Sequence, residues 1–325
     1  MKRLQTRVPG SINKSRLDHF LDMWLPNAIG KHLSRKMIRT LILSGAVYVN
    51  RHRNKHGTSP VFSGAIIEVY YDEDRLLKNQ PRRIENIRLD ATCVRYEDEW
   101  LIVVEKPSGL PTQPTLDPNR PNLFDLMKRL LKERGVEEAP YVGLHHRLDR
   151  DTSGLVLFTK KERANKGVAD LFANHQIQKS YQCLAWRPSG SEMLKVDDQF
   201  TIQNNVGKVG AKEGKTLFGE VSSGGDVAIT HFRVIEVFRD VFWLEAKPQT
   251  GRTHQIRIHC AGMNHPILGD ELYFPEKLAA LVPVPRLMLH ASKLEFIHPL
   301  TGDKVEVHAP IPDEFVQVLS QLKVG

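Results

Sequence analysis

The segment Leu144 to Phe158, LHHRLDRDTSGLVLF, packs two His, two Arg and two Asp into seven positions and runs straight into a strand-like apolar stretch. Charges beside a buried strand must be paired and hydrogen-bonded, or each ion costs several kcal/mol. Any fold for this chain must therefore supply a polar network where this strand begins. Two readings of Asp149 meet that demand. It caps a turn and pairs with Arg147 or Arg150, or it is a reactive carboxylate around which the rest of the chain is arranged.

At 325 residues the chain can build one large core and one small module. Cys93, Cys183 and Cys260 lie far apart with no CxxC pair, so neither a disulfide framework nor a zinc ribbon is supported and a reducing cytosol is expected. No apolar run approaches the ~20 residues of a membrane span, and the N-terminal stretch lacks the apolar segment of a signal peptide. Five basic and no acidic side chains in residues 1–17 leave an organelle transit peptide open, while the Pro9-Gly10 break favours a flexible basic arm over residues 1–14. Charge is unevenly divided. Residues 1–80 hold 14 Lys and Arg against 6 Asp and Glu, and the remainder balances at 32 and 32. A basic block of this kind attracts a polyanion and makes its binding salt-dependent.

Within that block, Leu17, Phe20, Leu21, Trp24 and Leu25 recur at helical spacing. A second helix starts at a Ser34 cap, turns Met37, Ile38, Leu41 and Ile42 inward, and ends at Gly45. Arg35, Lys36 and Arg39 fall on its outer side, as a solvated basic face or as phosphate contacts. The strand AVYVN, a basic loop RHRNKHG and the strand AIIEVYY complete two helices packed on a hairpin. The order of helix, SRxxI helix, GxVxVN strand and GxxIxV strand resembles the S4 RNA-binding domain over residues 14–70, so a small α/β S4-like domain is expected over 15–72. The polar, charged run that follows predicts a linker over 73–89.

From residue 90 to 325, a buried strand at Trp100–Val104 precedes a Gly/Pro loop and an amphipathic helix at Asn122–Leu131. The strand GLVLFTK, a helix at Glu162–Asn174 and strands at KSYQCLAW, ITHFRVIEVF and VFWLEAKP follow. A helix near Thr253–Gly262, short strands near Leu287–Phe296 and a closing helix at Asp313–Leu322 end the chain. Strands outnumber helices without alternating strictly with them, which predicts an α+β domain on a largely antiparallel, mixed sheet. Gln203 to Asp226 is polar and Gly-rich, and reads as a mobile RNA-touching arm or a plain solvated loop.

In HRLDRDTSG, Thr152, Ser153 and Gly154 supply hydroxyls and a permissive backbone able to hold the preceding carboxylate. The segment KPQTGRTHQIRIH gathers Lys247, Arg252, His254, Arg257 and His259. Arg252 and Arg257, five apart, point to different sides of a regular helix, so one can meet a carboxylate and the other an RNA phosphate. His254 and His259 do not share a helical face and no HExxH accompanies them, which argues against a metal. A glycoside hydrolase needs two cooperating carboxylates, and Asp151 beside Asp149 pairs locally instead. The Gly207–Gly214 stretch lacks a nucleotide-binding pattern.

HRLDRDTSGLVLFTK, the KxY of Lys179 and Tyr181, GRTHQIRIH, NHPILGD at 264–270 and LMLHA at 287–291, in this order, resemble the RluA family of pseudouridine synthases over residues 90–315. The resemblance implies that Asp149 is the catalytic aspartate, that Tyr181 stacks on the target base and takes part in the later proton removal, and that Arg257 pairs with the aspartate. It further implies that Arg147 enters the RNA as the base leaves and that Leu289 walls an apolar pocket. The expected function is an RNA pseudouridine synthase acting on large-subunit ribosomal RNA, a cytoplasmic monomer with RNA as its partner and no metal, small-molecule cofactor or membrane. The alternatives are an enzyme acting on transfer RNA and a non-catalytic RNA-binding assembly factor.

Overall fold

The computed structural model describes residues 2–12, 14–30, 33–71, 89–115, 120–135, 139–188, 194–212, 215–275 and 282–324. Two compact units divide the chain, residues 1–85 and 86–325. The expected linker at 73–89 lies almost entirely outside the described residues.

In the first unit, β1 (Lys2–Arg7), β2 (Lys14–Arg16), α1 (Leu17–Ile29), α2 (Arg35–Leu43), β3 (Val47–Val49), β4 (His52–Asn54), β5 (Pro60–Phe62) and β6 (Ile66–Tyr71) follow in order. The apolar stripe of α1 buries Leu17, Phe20, Leu21 and Leu25, and α2 adds Ile38, Leu41 and Ile42 against Val47, Ile67 and Val69. Ser34 Oγ accepts from the Met37 N–H at 3.3 Å, the cap expected for α2. Two expectations are corrected here. Residues 2–7 are not a flexible arm but β1, paired with β6 from Lys2↔Tyr71 to Arg7↔Ile66, because the edge of β6 has backbone groups to satisfy. RHRNKHG is not all loop: β4 pairs with β3 across a two-residue turn in which Asn50 and Arg51 both take positive φ, 51° and 67°.

The second unit comprises β7 (Val94–Glu97), β8 (Leu101–Lys106), α3 (Leu123–Glu133), β9 (Gly143–Leu144), β10 (Ser153–Thr159), α4 (Asn165–Ala173), β11 (Gln178–Trp186), β12 (Gln199–Lys212), β13 (Lys215–Glu220), β14 (Asp226–Val237), β15 (Val241–Pro248), α5 (Gln255–Gly262), β16 (Leu289–Ile297), β17 (Lys304–His308) and α6 (Asp313–Val324). One 11-stranded sheet runs β13-β12-β14-β15-β11-β16-β10-β8-β7, with β17 on β16 and β9 on β10. Its pairings are antiparallel except β10 with β16, so the fold is α+β on an antiparallel-dominated sheet.

The unbroken apolar run of β10 has a direct cause. Val156 and Phe158 pack with Met127, Leu130 and Leu131 of α3 on one face, while Leu155 and Leu157 pack with Val168 of α4 on the other. A strand covered on both faces has no polar side to show. At its start, Ser153 and Gly154 pair in parallel with His290 and Ala291. Gly154 takes φ 114°, and a Cβ there would collide with the Ala291 backbone. The charged loop is thereby brought to the middle of the sheet.

The largest correction concerns Gln203 to Asp226. Instead of a loop or arm it forms the hairpin of β12 and β13, and β12 pairs with β14 from Gln199↔Arg233 to Val206↔Asp226. The strands near Leu287–Phe296 are the single strand β16, and α5 begins at Gln255, two residues later than expected. Among the described residues no helix is long and apolar enough to cross a membrane.

Candidate active site

Asp149 sits in a loop pinned on both sides by the preceding loop, residues 106–112. Thr112 Oγ1 donates to the Leu148 carbonyl at 2.7 Å and accepts from the Leu148 N–H at 3.1 Å. The Arg150 carbonyl accepts from Lys106 Nζ at 2.9 Å and from the Gly109 N–H at 2.9 Å. Ser108 Oγ donates to the Asp151 carbonyl at 2.6 Å. Lys106 is fully buried, and its Nζ also donates to the carbonyls of Pro107 at 3.0 Å and Leu110 at 2.8 Å. Three acceptors for three protons make this ammonium the knot between the two loops. The expected role of the Thr152 and Ser153 hydroxyls is not what the structure shows. Ser153 Oγ lies 2.9 Å from His290 Nδ1, and Thr152 Oγ1 is buried without a partner. What Thr152 holds is the backbone of Asp149, its N–H donating to the Asp149 main-chain carbonyl at 3.2 Å.

The side chain of Asp149 meets Arg257, whose Nη1 donates to Oδ2 at 3.2 Å. The opposite edge of that guanidinium is taken by Asp270, which accepts from Nε at 2.7 Å and Nη2 at 2.8 Å. Asp270 is itself fixed, because Oδ1 accepts from the N–H groups of Leu272 at 2.9 Å and Tyr273 at 3.1 Å. Burial works against the Arg257 charge, but the Asp270 and Asp149 carboxylates outweigh it and hold the pKa above its ordinary value. Arg150 pairs with its neighbour Asp151, at 2.7 and 2.6 Å, and leaves Asp149 alone.

The start of α5 is anchored by Gln255. Its Oε1 accepts from Thr250 Oγ1 at 2.6 Å and the Arg252 N–H at 3.0 Å, and its Nε2 donates to the Ile229 carbonyl at 2.9 Å and Thr230 Oγ1 at 2.8 Å. This places Arg257 inward, while Arg252 precedes the helix, so the expected helical spacing does not apply to it, and its Nε donates to the Val227 carbonyl at 3.0 Å.

Asp149, Tyr181, Arg257, Arg147, Arg252 and Leu289 all line one cavity of about 550 Å³. Tyr181 lies on β11 with Ala246 and Ala291 as its cross-strand neighbours, and burial, then the Asp149 carboxylate, push its phenol pKa up. The phenol is therefore neutral, and the side chain lines the cavity. Lys179, two residues earlier on β11, also lines the cavity, with its Nζ 3.4 Å from the Thr250 carbonyl and its pKa lowered by burial. Arg35 and Arg39, expected beside RNA, belong to the first unit, both exposed. Arg35 Nε donates to Asp22 at 3.0 Å.

Two contributors, Lys106 and Asp270, were not singled out from sequence, and His254 was weighed there only as a metal ligand. Asp270 closes the NHPILGD motif, and that position was the available signal. Among the described residues no group of three or more His, Cys, Asp or Glu is arranged to hold a metal ion.

Residues 100–262 match the family described as RNA pseudouridylate synthase. The chain is 32% identical over 332 residues to a ribosomal large subunit pseudouridine synthase D of Haemophilus ducreyi, covering 98% of this chain and 94% of that protein. It is 28% identical to a ribosomal large subunit pseudouridine synthase C of Vibrio cholerae, covering 99% of each. Among solved structures, human RNA pseudouridylate synthase domain containing 4 superposes with a TM-score of 0.57 at 23% identity, covering 71% of this chain and 93% of that one. Human RNA pseudouridylate synthase domain containing 1 gives a TM-score of 0.53 at 24% identity, covering 76% and 98%.

Proposed function

The chain belongs to the RNA pseudouridylate synthase family, and we propose that it isomerises specific uridines of large-subunit ribosomal RNA with Asp149 as the reacting carboxylate. As a member of that family it is an isomerase that converts uridine in RNA to pseudouridine. The reading of its site rests on one observation above others: Arg257, locked by Asp270, donates to Asp149 at 3.2 Å inside a cavity that Tyr181 and Leu289 also line.

The reaction breaks the N1–C1′ bond, turns the uracil and joins C5 to C1′. The C5 proton leaves and N1 gains one, so nothing is oxidised and no energy source is consumed. Asp149 begins the sequence by attacking C1′ or by taking the C2′ proton, and either act needs an ionised oxygen beside a fixed countercharge. Tyr181 offers the flipped uracil a stacking surface in place of the one it leaves. Arg147, on the cavity wall two residues before Asp149, fills the gap in the RNA, and Arg252 meets phosphate. The first unit acts as an S4-like RNA-binding domain through Arg35, Lys36 and Arg39, supplying affinity and not chemistry. The enzyme works in the cytoplasm as a monomer.

The ribosomal substrate is tested by incubating ribosomal and transfer RNA from a strain lacking the protein with the purified enzyme. Pseudouridines are then mapped by carbodiimide-dependent reverse-transcription stops. New stops in large-subunit RNA are expected, and new stops confined to transfer RNA would overturn the assignment.

A further inference from the structure

His254 is held in an unusual way. It precedes α5 with φ 57° and ψ 21°, a left-handed conformation that a non-glycine residue adopts only when its surroundings demand it. Its ring is fixed at every edge. Nδ1 lies 2.9 Å from the Tyr273 hydroxyl, and the rings of Phe218 and Tyr273 meet it edge-on at 6.1 and 5.7 Å. Nε2 lies 3.9 Å from Asp149 Oδ2, and the side chain lines the same cavity, 16% exposed. The strained backbone is thus spent on aiming one ring nitrogen at the space beside the reacting carboxylate.

Which nitrogen carries the proton follows from the neighbours. A carboxylate facing Nε2 favours N–H there, so the Tyr273 hydroxyl donates to Nδ1. Burial lowers the pKa against the carboxylates of Asp149 and Asp270, whose pull the cations of Arg257 and Arg147 offset in part, so the ring is neutral with a single N–H. A carbonyl oxygen of a uracil is two bonds from the nitrogen that leaves C1′. When C1′ comes within about 3–3.5 Å of Asp149, that oxygen comes within reach of a donor placed where Nε2 is.

We propose that His254 is a further catalytic residue: its Nε2–H donates a hydrogen bond to a uracil carbonyl oxygen as the N1–C1′ bond breaks. The bonding pair leaves with N1 and spreads onto the carbonyl oxygens, and the donor stabilises that charge without giving up its proton, as in an oxyanion hole. Tyr273 is the positioning residue that fixes the tautomer. Phe218, carried on β13, couples the β12–β13 hairpin to the ring. The proposal rests on Asp149 as the reacting carboxylate.

The test compares single-turnover rates at saturating enzyme, RNA affinity and thermal melting for wild type, His254→Ala, His254→Gln, Tyr273→Phe and Asp149→Ala. His254→Ala should lose about 10²-fold in rate with RNA affinity unchanged. His254→Gln, which can present an N–H in the same direction, should recover part of that loss. Tyr273→Phe keeps the packing and should slow the reaction without lowering the melting temperature. A wild-type rate at saturation in His254→Ala, or a loss confined to affinity or melting across the three variants, would overturn the proposal. Activity retained in Asp149→Ala would instead overturn the assignment beneath it.

Discussion

Asp270 binds the edge of Arg257 that Asp149 does not use, at 2.7 and 2.8 Å, so that only Nη1 is free to reach Asp149. The buried cation is shared by two carboxylates, one purely structural and one facing the cavity. Removing one partner of a buried pair leaves an uncompensated charge, at about 3–5 kcal/mol. Asp270→Ala should therefore lower stability by about 3 kcal/mol in guanidinium titrations and also slow the saturated reaction, because Arg257 loses its orientation. Unchanged stability in this variant would contradict the arrangement.

Lys106 ties the loop that carries Asp149 to the loop before it. Burial pulls its pKa down to about 7, while the carboxylates of Asp151 and Asp149 oppose that shift. Lys106→Met fills the space but leaves the Pro107 and Leu110 carbonyls without this donor, each worth about 1–3 kcal/mol, while the Arg150 carbonyl keeps only the Gly109 N–H. Denaturant titration should show a loss of several kcal/mol, and hydrogen exchange should show faster opening at residues 148–151. A methionine variant as stable as wild type would mean the ammonium is dispensable.

Two buried histidines, His259 and His290, and the partly buried His146 should make the fold sensitive to acid. Burial lowers the pKa of His259 and His290 to about 4 and that of His146 to about 3. His146 Nε2 accepts from the Leu157 N–H at 2.9 Å, which requires the unprotonated nitrogen. Unfolded histidines bind protons near pH 6.5, so between pH 6.5 and 4 the unfolded chain holds more protons than the folded one and stability falls as pH falls. Each histidine contributes up to about 3 kcal/mol by pH 4. Guanidinium midpoints measured from pH 7 to 4.5 should drop steadily, and His290→Gln should flatten the slope. Midpoints constant across that window would contradict buried neutral imidazoles.

On the proposed division of labour, the basic residues of α2 act in binding and not in rate. Replacing Arg35, Lys36 and Arg39 together by Gln should weaken RNA binding and reduce the slope of log K against log salt by up to about 2–3. The single-turnover rate at saturation should stay near wild type. A reduced rate with unchanged affinity would contradict the division of labour.

How far the sequence disclosed this molecule depended on how local the cause was. The faces of α1 and α2 were legible because Leu17, Leu21, Ile38 and Ile42 repeat at helical spacing and bury as a set. The strand character of residues 2–7 was not, because β1 exists only through a partner that begins at Ile66. The β12–β13 hairpin was missed for a similar reason: Asn, Gly and Lys are poor strand formers, and pairing with β14 overrides them. In the site, the Asp149–Arg257 pair spans 108 residues and was expected only from the family resemblance. Neither Asp270 nor Lys106 was read from sequence as part of the site. Their partners, 13 and 44 residues away, give them their roles.

The most direct test of the account follows the C5 proton. RNA labelled with tritium at C5 of uridine releases that tritium only when the isomerisation is completed. Wild type, Asp149→Asn and Asp149→Ala are compared under single turnover with enzyme in excess, each shown by its melting curve to be folded. Tritium release should fall by at least about 10⁴-fold in both variants while RNA affinity holds. Release within tenfold of wild type from a folded Asp149→Ala would show that another group carries the chemistry.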